Sequence, residues 1–126
     1  MLKDLVKEIL KEELTGNSIN DTEKSRNIHS HMIGKMVMVR TYSAGVHFGV
    51  LMAKEKQQAI LKDSRRVYSW EKAATLSQLS QEGSKDIDNC KITMIIPEIL
   101  LDRVIEVIPM SEKAIDNLLG ATIWKF

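Results

Sequence analysis

Three arginines, Arg40, Arg65 and Arg66, share one stretch of the chain with Tyr42, Phe48, Tyr68 and Trp70, four of its six aromatic side chains. A guanidinium presents a planar fork that suits phosphate, and it also stacks on aromatic faces. Between them lies Ser43-Ala44-Gly45, small residues whose backbone N–H groups can form an anion-binding nest. His47 and Phe48 follow directly. These types in this order read as a surface for a small anionic ligand that carries a ring. Arg40, Arg65 and Arg66 would contact phosphate, and Tyr68, Trp70 or Phe48 would stack the ring. Ser43 and Gly45 would supply hydroxyl or backbone contacts, with His47 lining the same cleft. A plainer reading stands beside each of these. Tyr68 and Trp70 can fill a core while Arg65 and Arg66 pair with acids such as Glu71 or Asp63. Ser43 to Gly45 can be a simple hairpin turn in which glycine supplies a positive φ.

Catalysis has less to work with. A nucleophile needs a base within hydrogen-bond reach, and no spacing in the sequence fixes one. His29 and His31, two residues apart in a polar stretch, form a metal-binding pair only if further ligands arrive from elsewhere. Solvated loop histidines are the simpler account. Cys90 leads an apolar run, where a lone cysteine is usually a small buried hydrophobe. Glu12-Glu13, Asp86 and Asp88 read as solvated acids. There is no GxxxxGK[ST], GxGxxG, HExxH or CxxC. The expectation is a protein without a catalytic residue, metal or cofactor.

Composition narrows the class further. The chain has 126 residues, 44% hydrophobic and 28% charged, with a formal net charge of +1. One globular domain is the expectation. The even charge balance disfavours nucleic acid as a partner, since a backbone-tracking groove is strongly basic. No apolar run approaches the ~18 residues of a membrane span, and the N-terminus lacks the apolar segment of a signal peptide. A cytoplasmic home follows as an expectation.

The ordering of elements suggests an α+β domain. Leu2, Leu5, Val6, Ile9, Leu10 and Leu14 recur at helical spacing between charged residues, giving an amphipathic helix over 1–15. Its apolar stripe must be buried against the rest of the domain or against a second copy of the chain, and the long polar spacer that follows, 16–31, favours the second copy. A β-rich globular part then spans 32–126. Ile33–Tyr42, Val46–Ala53, Gln57–Leu61 and Arg65–Trp70 read as antiparallel strands with turns between them, and such a meander must curl or pair to hide its edges. A small, SH3-like antiparallel β-barrel or curled sheet is predicted. Two short helices are expected as well, one over Ala73–Leu79 closed by Gly83 and one capped by Ser111 and closed by Gly120. Between them, Lys91–Ile96 and Arg103–Ile108 read as strands ended by Pro97 and Pro109. The tail, Ile123-Trp124-Lys125-Phe126, alternates like an edge strand.

On the Arg65–Trp70 strand, alternation puts Arg66, Tyr68 and Trp70 on one face and Arg65, Val67 and Ser69 on the other. Each face mixes apolar and charged residues, so the sequence does not say which one is buried.

The strings RTYSAGVHFG (Arg40 to Gly49), RRVYSW (Arg65 to Trp70) and ATLSQL (Ala74 to Leu79) resemble a family of small uncharacterised proteins encoded by bacteriophages, prophages and plasmids. The resemblance covers roughly residues 33 to 126. It implies a phage-type context in the bacterial cytoplasm and supplies no catalytic residues. Small oligomeric phage proteins of that setting include sponges that sequester nucleotide signals made by host immune enzymes. The expectation is therefore a homo-oligomeric anti-defence sponge for a nucleotide-like signal. The alternative is a nucleic-acid-binding or virion-associated accessory protein.

Overall fold

A computed structural model describes residues 28–126, so the amphipathic helix expected over 1–15 and most of the polar spacer lie outside the described residues. The chain divides into two compact units, Met1–His31 and Met32–Phe126. Of the first, the described part is one 3-10 turn, Ile28–His31.

Within the second unit, the described residues form one six-stranded antiparallel sheet. The strands are β1 (Met36–Thr41), β2 (Val46–Glu55), β3 (Gln58–Ser69), β4 (Lys91–Ile92), β5 (Ile96–Leu101) and β6 (Val104–Pro109). Two short helices, α1 (Leu76–Glu82) and α2 (Glu112–Leu119), complete it. The pairing order is β4-β3-β2-β1-β6, with β5 also on the outer side of β3. The long β3 thus meets β2 along one edge and β5, then β4, along the other.

Both helices begin and end on local chemistry. Thr75 Oγ1 accepts from the Gln78 amide and Ser111 Oγ from the Ala114 amide, at 3.1 and 3.0 Å, satisfying amides that a first turn leaves without partners. Gly83, at φ +73°, donates its amide back to the Leu79 carbonyl and closes α1.

The sheet curls without closing. β5 and β6 belong to different edges, pairing with β3 and β1 respectively, yet only Asp102 and Arg103 separate them. In a flat sheet β5 and β6 would lie four strand spacings apart, roughly 19 Å, so the sheet must bend to bring them together. Val104 donates its amide to the Gln57 carbonyl and Tyr42 to the Arg103 carbonyl, at 2.8 and 2.9 Å, pinning the bend. The closed SH3-like barrel expected from the meander is therefore corrected. β5 and β6 each spend their inner edge on another strand and form no ladder with each other.

Each face of the sheet has its own core. The helix side gathers Met38, Val46, Phe48, Val67, Ile92, Leu79, Ala114 and Leu118. The concave side gathers Val37, Val39, Leu51, Ala59, Leu61, Leu101 and Val104, all from strands or strand ends. Val37 and Val39 against Met38 show the period-2 alternation of a strand buried on both sides.

Two expected strands, Gln57–Leu61 and Arg65–Trp70, are one continuous strand interrupted by a bulge. Phe48 pairs with Arg65 and Val50 with Lys62, so one β2 residue, Gly49, opposes two on β3, Asp63 and Ser64. Asp63 adopts the left-handed conformation, φ +51°, as a bulge residue can. Pro97 lies inside β5, where the sequence reading had a strand end. An outer strand tolerates proline because it has amides that face no neighbour. The tail makes one parallel bridge, Ile92 to Ile123, in place of a full edge strand.

Gly49 is required at the bulge. A Cβ there would lie 2.9 Å from the Lys62 carbonyl oxygen and 3.1 Å from Ser64 Cα, and neither is a side-chain end that can swing away. Gly49→Ala is expected to lower stability by about 1–3 kcal/mol. Gly45→Ala should act differently, through its φ of +83° with open space around it. Chemical denaturation of both variants checks this, and an unchanged Gly49→Ala midpoint would contradict the geometry.

Candidate functional site

The bulge decides the fate of the two neighbouring arginines. Past Asp63 the alternation of β3 is shifted by one, which turns Arg65 and Val67 to the helix side and Ser64, Arg66 and Tyr68 to the other. Arg65 is 2% exposed. Its guanidinium donates to five backbone carbonyls: Nε to Thr93 at 2.7 Å, Nη1 to Leu118 and Leu119 at 3.2 and 3.1 Å, and Nη2 to Ile92 and Ala121 at 3.4 and 3.1 Å. All five N–H donors of the fork are used. Three of those carbonyls lie at or just past the C-terminal end of α2, where the helix dipole is negative. Burial lowers the Arg65 pKa. The phosphate contact expected of Arg65 is corrected, because no donor remains for a ligand.

Other expected site residues also turn inward or elsewhere. Phe48 is fully buried on the helix side. Trp70 packs against the same core and donates Nε1 to the Ala73 carbonyl at 3.1 Å, since it lies past the end of β3 and escapes the strand's alternation. Arg40 shares the Met38 face, opposite to that of Arg66, and its Nε reaches Glu106 Oε1 at 3.1 Å. Ser43 and Gly45 form the β1–β2 turn, but the Ala44 amide between them is taken by Thr41 Oγ1 at 2.8 Å. The backbone nest expected there has lost that donor. Cys90 is buried and its Sγ accepts from the Glu71 amide at 3.4 Å. Among the described residues no group of three or more His, Cys, Asp or Glu is arranged to hold a metal ion.

Arg66, His47 and Tyr68 do come together, with residues that the sequence reading had not singled out. Arg66 pairs with His47 across β2 and β3. The two line a cavity of about 190 Å3 with Ser64, Thr93, Met94, Ile96 and Ile99. Arg66 is exposed and makes no ion pair among the described residues. Its backbone is fixed to Thr93, whose Oγ1 accepts the Arg66 amide at 3.0 Å and whose own amide donates to the Arg66 carbonyl at 3.0 Å. Ser64 is 1% exposed, and its Oγ has no hydrogen-bond partner among the described residues. His47 is equally buried. Its Nε2 lies 2.9 Å from the Ala44 carbonyl, which can only accept, so Nε2 carries the hydrogen and Nδ1 is the bare nitrogen of the neutral ring. Burial, aided by the nearby Arg66 charge, lowers the His47 pKa from 6.5.

Beyond Arg66 on the same strand face, Tyr68 is 63% exposed. Its ring stacks on Trp124, centroids 4.9 Å apart and planes 20° apart, and Trp124 meets Phe126 at 6.5 Å. Lys91 Nζ lies 6.0 Å from the Tyr68 centroid and 5.4 Å from that of Trp124. The Trp124 amide bonds the Ile92 carbonyl at 2.8 Å, which holds the tail against β4. Tyr68 was expected as a stacking residue, and the alternation of the tail was the only sequence signal for its partner Trp124. Nothing local announced Ser64 or Thr93, because a bulge and a chain reversal bring them to the site.

A larger hollow of about 430 Å3 lies past the C-terminal end of β1, between Tyr42, Gln57, Arg103, Val104 and Ile105. The Arg103 guanidinium already covers the Tyr42 ring there, 5.8 Å from its centroid.

Fold and site define a small α+β domain whose exposed chemistry is a cationic and aromatic sheet face. The model of a domain of unknown function, DUF6948, matches residues 34–118, and the chain belongs to that family. No curated protein and no solved structure matches it. Among the described residues no helix is long and apolar enough to cross a membrane.

Two outcomes follow from these surroundings. Arg65→Met should cost about 3 kcal/mol or more, because the five carbonyls lose their donors inside the protein. Arg65→Lys should recover only part of that, since an ammonium has three donors and no fork. Thermal melts of both measure it, and a neutral Arg65→Met would contradict the clamp. The unfolded chain binds a proton at His47 before the folded chain does, so stability should fall as pH drops below about 6.5. That loss continues down to the lowered folded pKa. His47→Gln should flatten this part of the pH–stability curve relative to the parent protein, and an unchanged slope would mean that His47 is not held neutral.

Proposed function

We propose that the protein is a non-catalytic binding protein for a small anionic, nucleotide-like ligand, held on the sheet face that carries Arg66 and Tyr68. The observation that supports this is one arrangement: an exposed guanidinium outside any described ion pair, placed on the same strand face as a stacked Tyr68–Trp124 pair and next to the mainly apolar cavity. Arg66 and Lys91 supply charge for phosphate, and the rings supply a flat apolar surface. The earlier set of Arg40, Ser43, Gly45, Phe48, Arg65 and Trp70 has no part in it. Following the phage resemblance, the biological role proposed is sequestration of a nucleotide-type immune signal in the bacterial cytoplasm, by a homo-oligomer.

One observation favours a second reading. The Tyr68–Trp124–Phe126 row is exposed, and rows of rings carry single-stranded nucleic acid in other folds. Salt dependence separates the two readings, since polynucleotide affinity falls steeply with salt and that of a compact site falls little.

The test is a thermal-shift screen of the whole chain against cyclic di- and trinucleotides and cyclic ADP-ribose isomers, because a ligand that binds only the folded state raises its melting temperature. At least one should raise it, and Arg66→Ala and Tyr68→Ala, both surface changes, should each cut the affinity about tenfold or more. No shift at ligand concentrations near a millimolar overturns the proposal.

A further inference from the structure

The Arg66 face holds two separate places for a ring, with the cation between them. Ser64, Arg66 and Tyr68 follow one another on the same side of β3, so the cavity, the guanidinium and the ring platform lie in that order along one line. At roughly 3.3 Å per residue, Ser64 and Tyr68 are about 13 Å apart along the strand. We infer that the ligand is a dinucleotide, with one base edge in the His47–Ser64 cavity, its phosphate at Arg66 and its second base on the Tyr68–Trp124 stack. This rests on the binding function proposed above and narrows it to a ligand with two rings.

The cavity itself argues for a base there in place of a phosphate. Its volume of about 190 Å3 is below the ~300 Å3 at which pockets begin to engulf a whole drug-sized ligand, so it takes one moiety. Met94, Ile96 and Ile99 give it apolar walls. Its two buried polar residues are Ser64, whose hydroxyl has no partner among the described residues, and His47, whose ring hydrogen is committed to Ala44. Nδ1 is then an acceptor, and the Ser64 hydroxyl can donate or accept. A fully ionised phosphate offers acceptors only and would set its oxygens against Nδ1. A nucleobase edge, with an N–H next to a carbonyl or ring nitrogen, satisfies both groups. The lowered His47 pKa is consistent with this, since it keeps the ring neutral at physiological pH. Arg66 is exposed at the cavity rim, where a phosphate remains partly hydrated.

Titration calorimetry of the whole chain tests the inference, with cyclic diadenylate, cyclic diguanylate and the mixed cyclic dinucleotide set against adenosine and guanosine 5′-monophosphates and inorganic phosphate. At least one dinucleotide should bind tenfold or more tightly than its monophosphate. Ser64→Ala should remove most of that advantage. This variant is expected to fold as the parent does, because the hydroxyl it loses has no partner to strand, and a melt confirms that. Equal affinity for dinucleotide and monophosphate overturns the two-ring inference while leaving the binding function intact. So does a Ser64→Ala protein that binds the dinucleotide undiminished, since the cavity then holds water only. Binding of inorganic phosphate abolished by Ser64→Ala also overturns it, by making the cavity an oxyanion seat. Absence of binding by every nucleotide removes both this inference and the function it rests on.

Discussion

A single buried guanidinium holds the helix side of this domain together. Arg65 enters from the middle of the sheet and fills its five donors with carbonyls from the end of β4 and the residue after it, the end of α2 and the chain beyond it. A cation taken out of water is costly unless it is fully hydrogen-bonded. Here the compensation comes from aligned carbonyl dipoles, in the absence of any carboxylate partner among the described residues. The same bonds satisfy carbonyls that the last turn of α2 leaves without intrahelical amides. One side chain thus settles two accounts of unpaired polarity, and α2 cannot sit elsewhere without reopening both.

The arrangement depends on a one-residue insertion in β3. Without the bulge at Asp63 the alternation set by Ala59 and Leu61 would carry through, and Arg65 would join them on the concave side. Arg66 would then point at the helices. Gly49 makes the bulge possible by giving up its side chain where the strands crowd. The core clamp and the exposed cation are therefore two results of one local irregularity, and the binding face proposed here is tied to the stability of the fold.

Much of the secondary structure was legible. The β1–β2 turn, the caps at Ser111 and Gly83 and the antiparallel meander of β1, β2 and β3 follow from short-range signals: small residues in turns, hydroxyls before helices and alternating apolar residues in strands. Legibility stopped where distant segments decide. The Arg65–Trp70 segment has two mixed faces, and local pattern could not choose between them. The choice was made by carbonyls more than 50 positions away, at Leu118, Leu119 and Ala121. An arginine beside aromatic residues looks alike whether its fork faces solvent or backbone. Closure of the sheet was overread for a related reason, since a meander shows that edges must be hidden and not how. Of the ring platform, Tyr68 was anticipated, whereas the alternation of the tail announced a strand there and not that a chain reversal would bring Trp124 onto Tyr68.

The span of the Arg65 bonds also constrains how the chain acquires its structure. They join residues 27 to 56 positions apart, and such pairings bring a loop-closure cost before they return any stabilisation. The meander can assemble from neighbours, but its central guanidinium stays hydrated until the C-terminal third arrives. Final docking of that third and dehydration of the cation are then one event, in which the helix side of the core and its central cation lose water together.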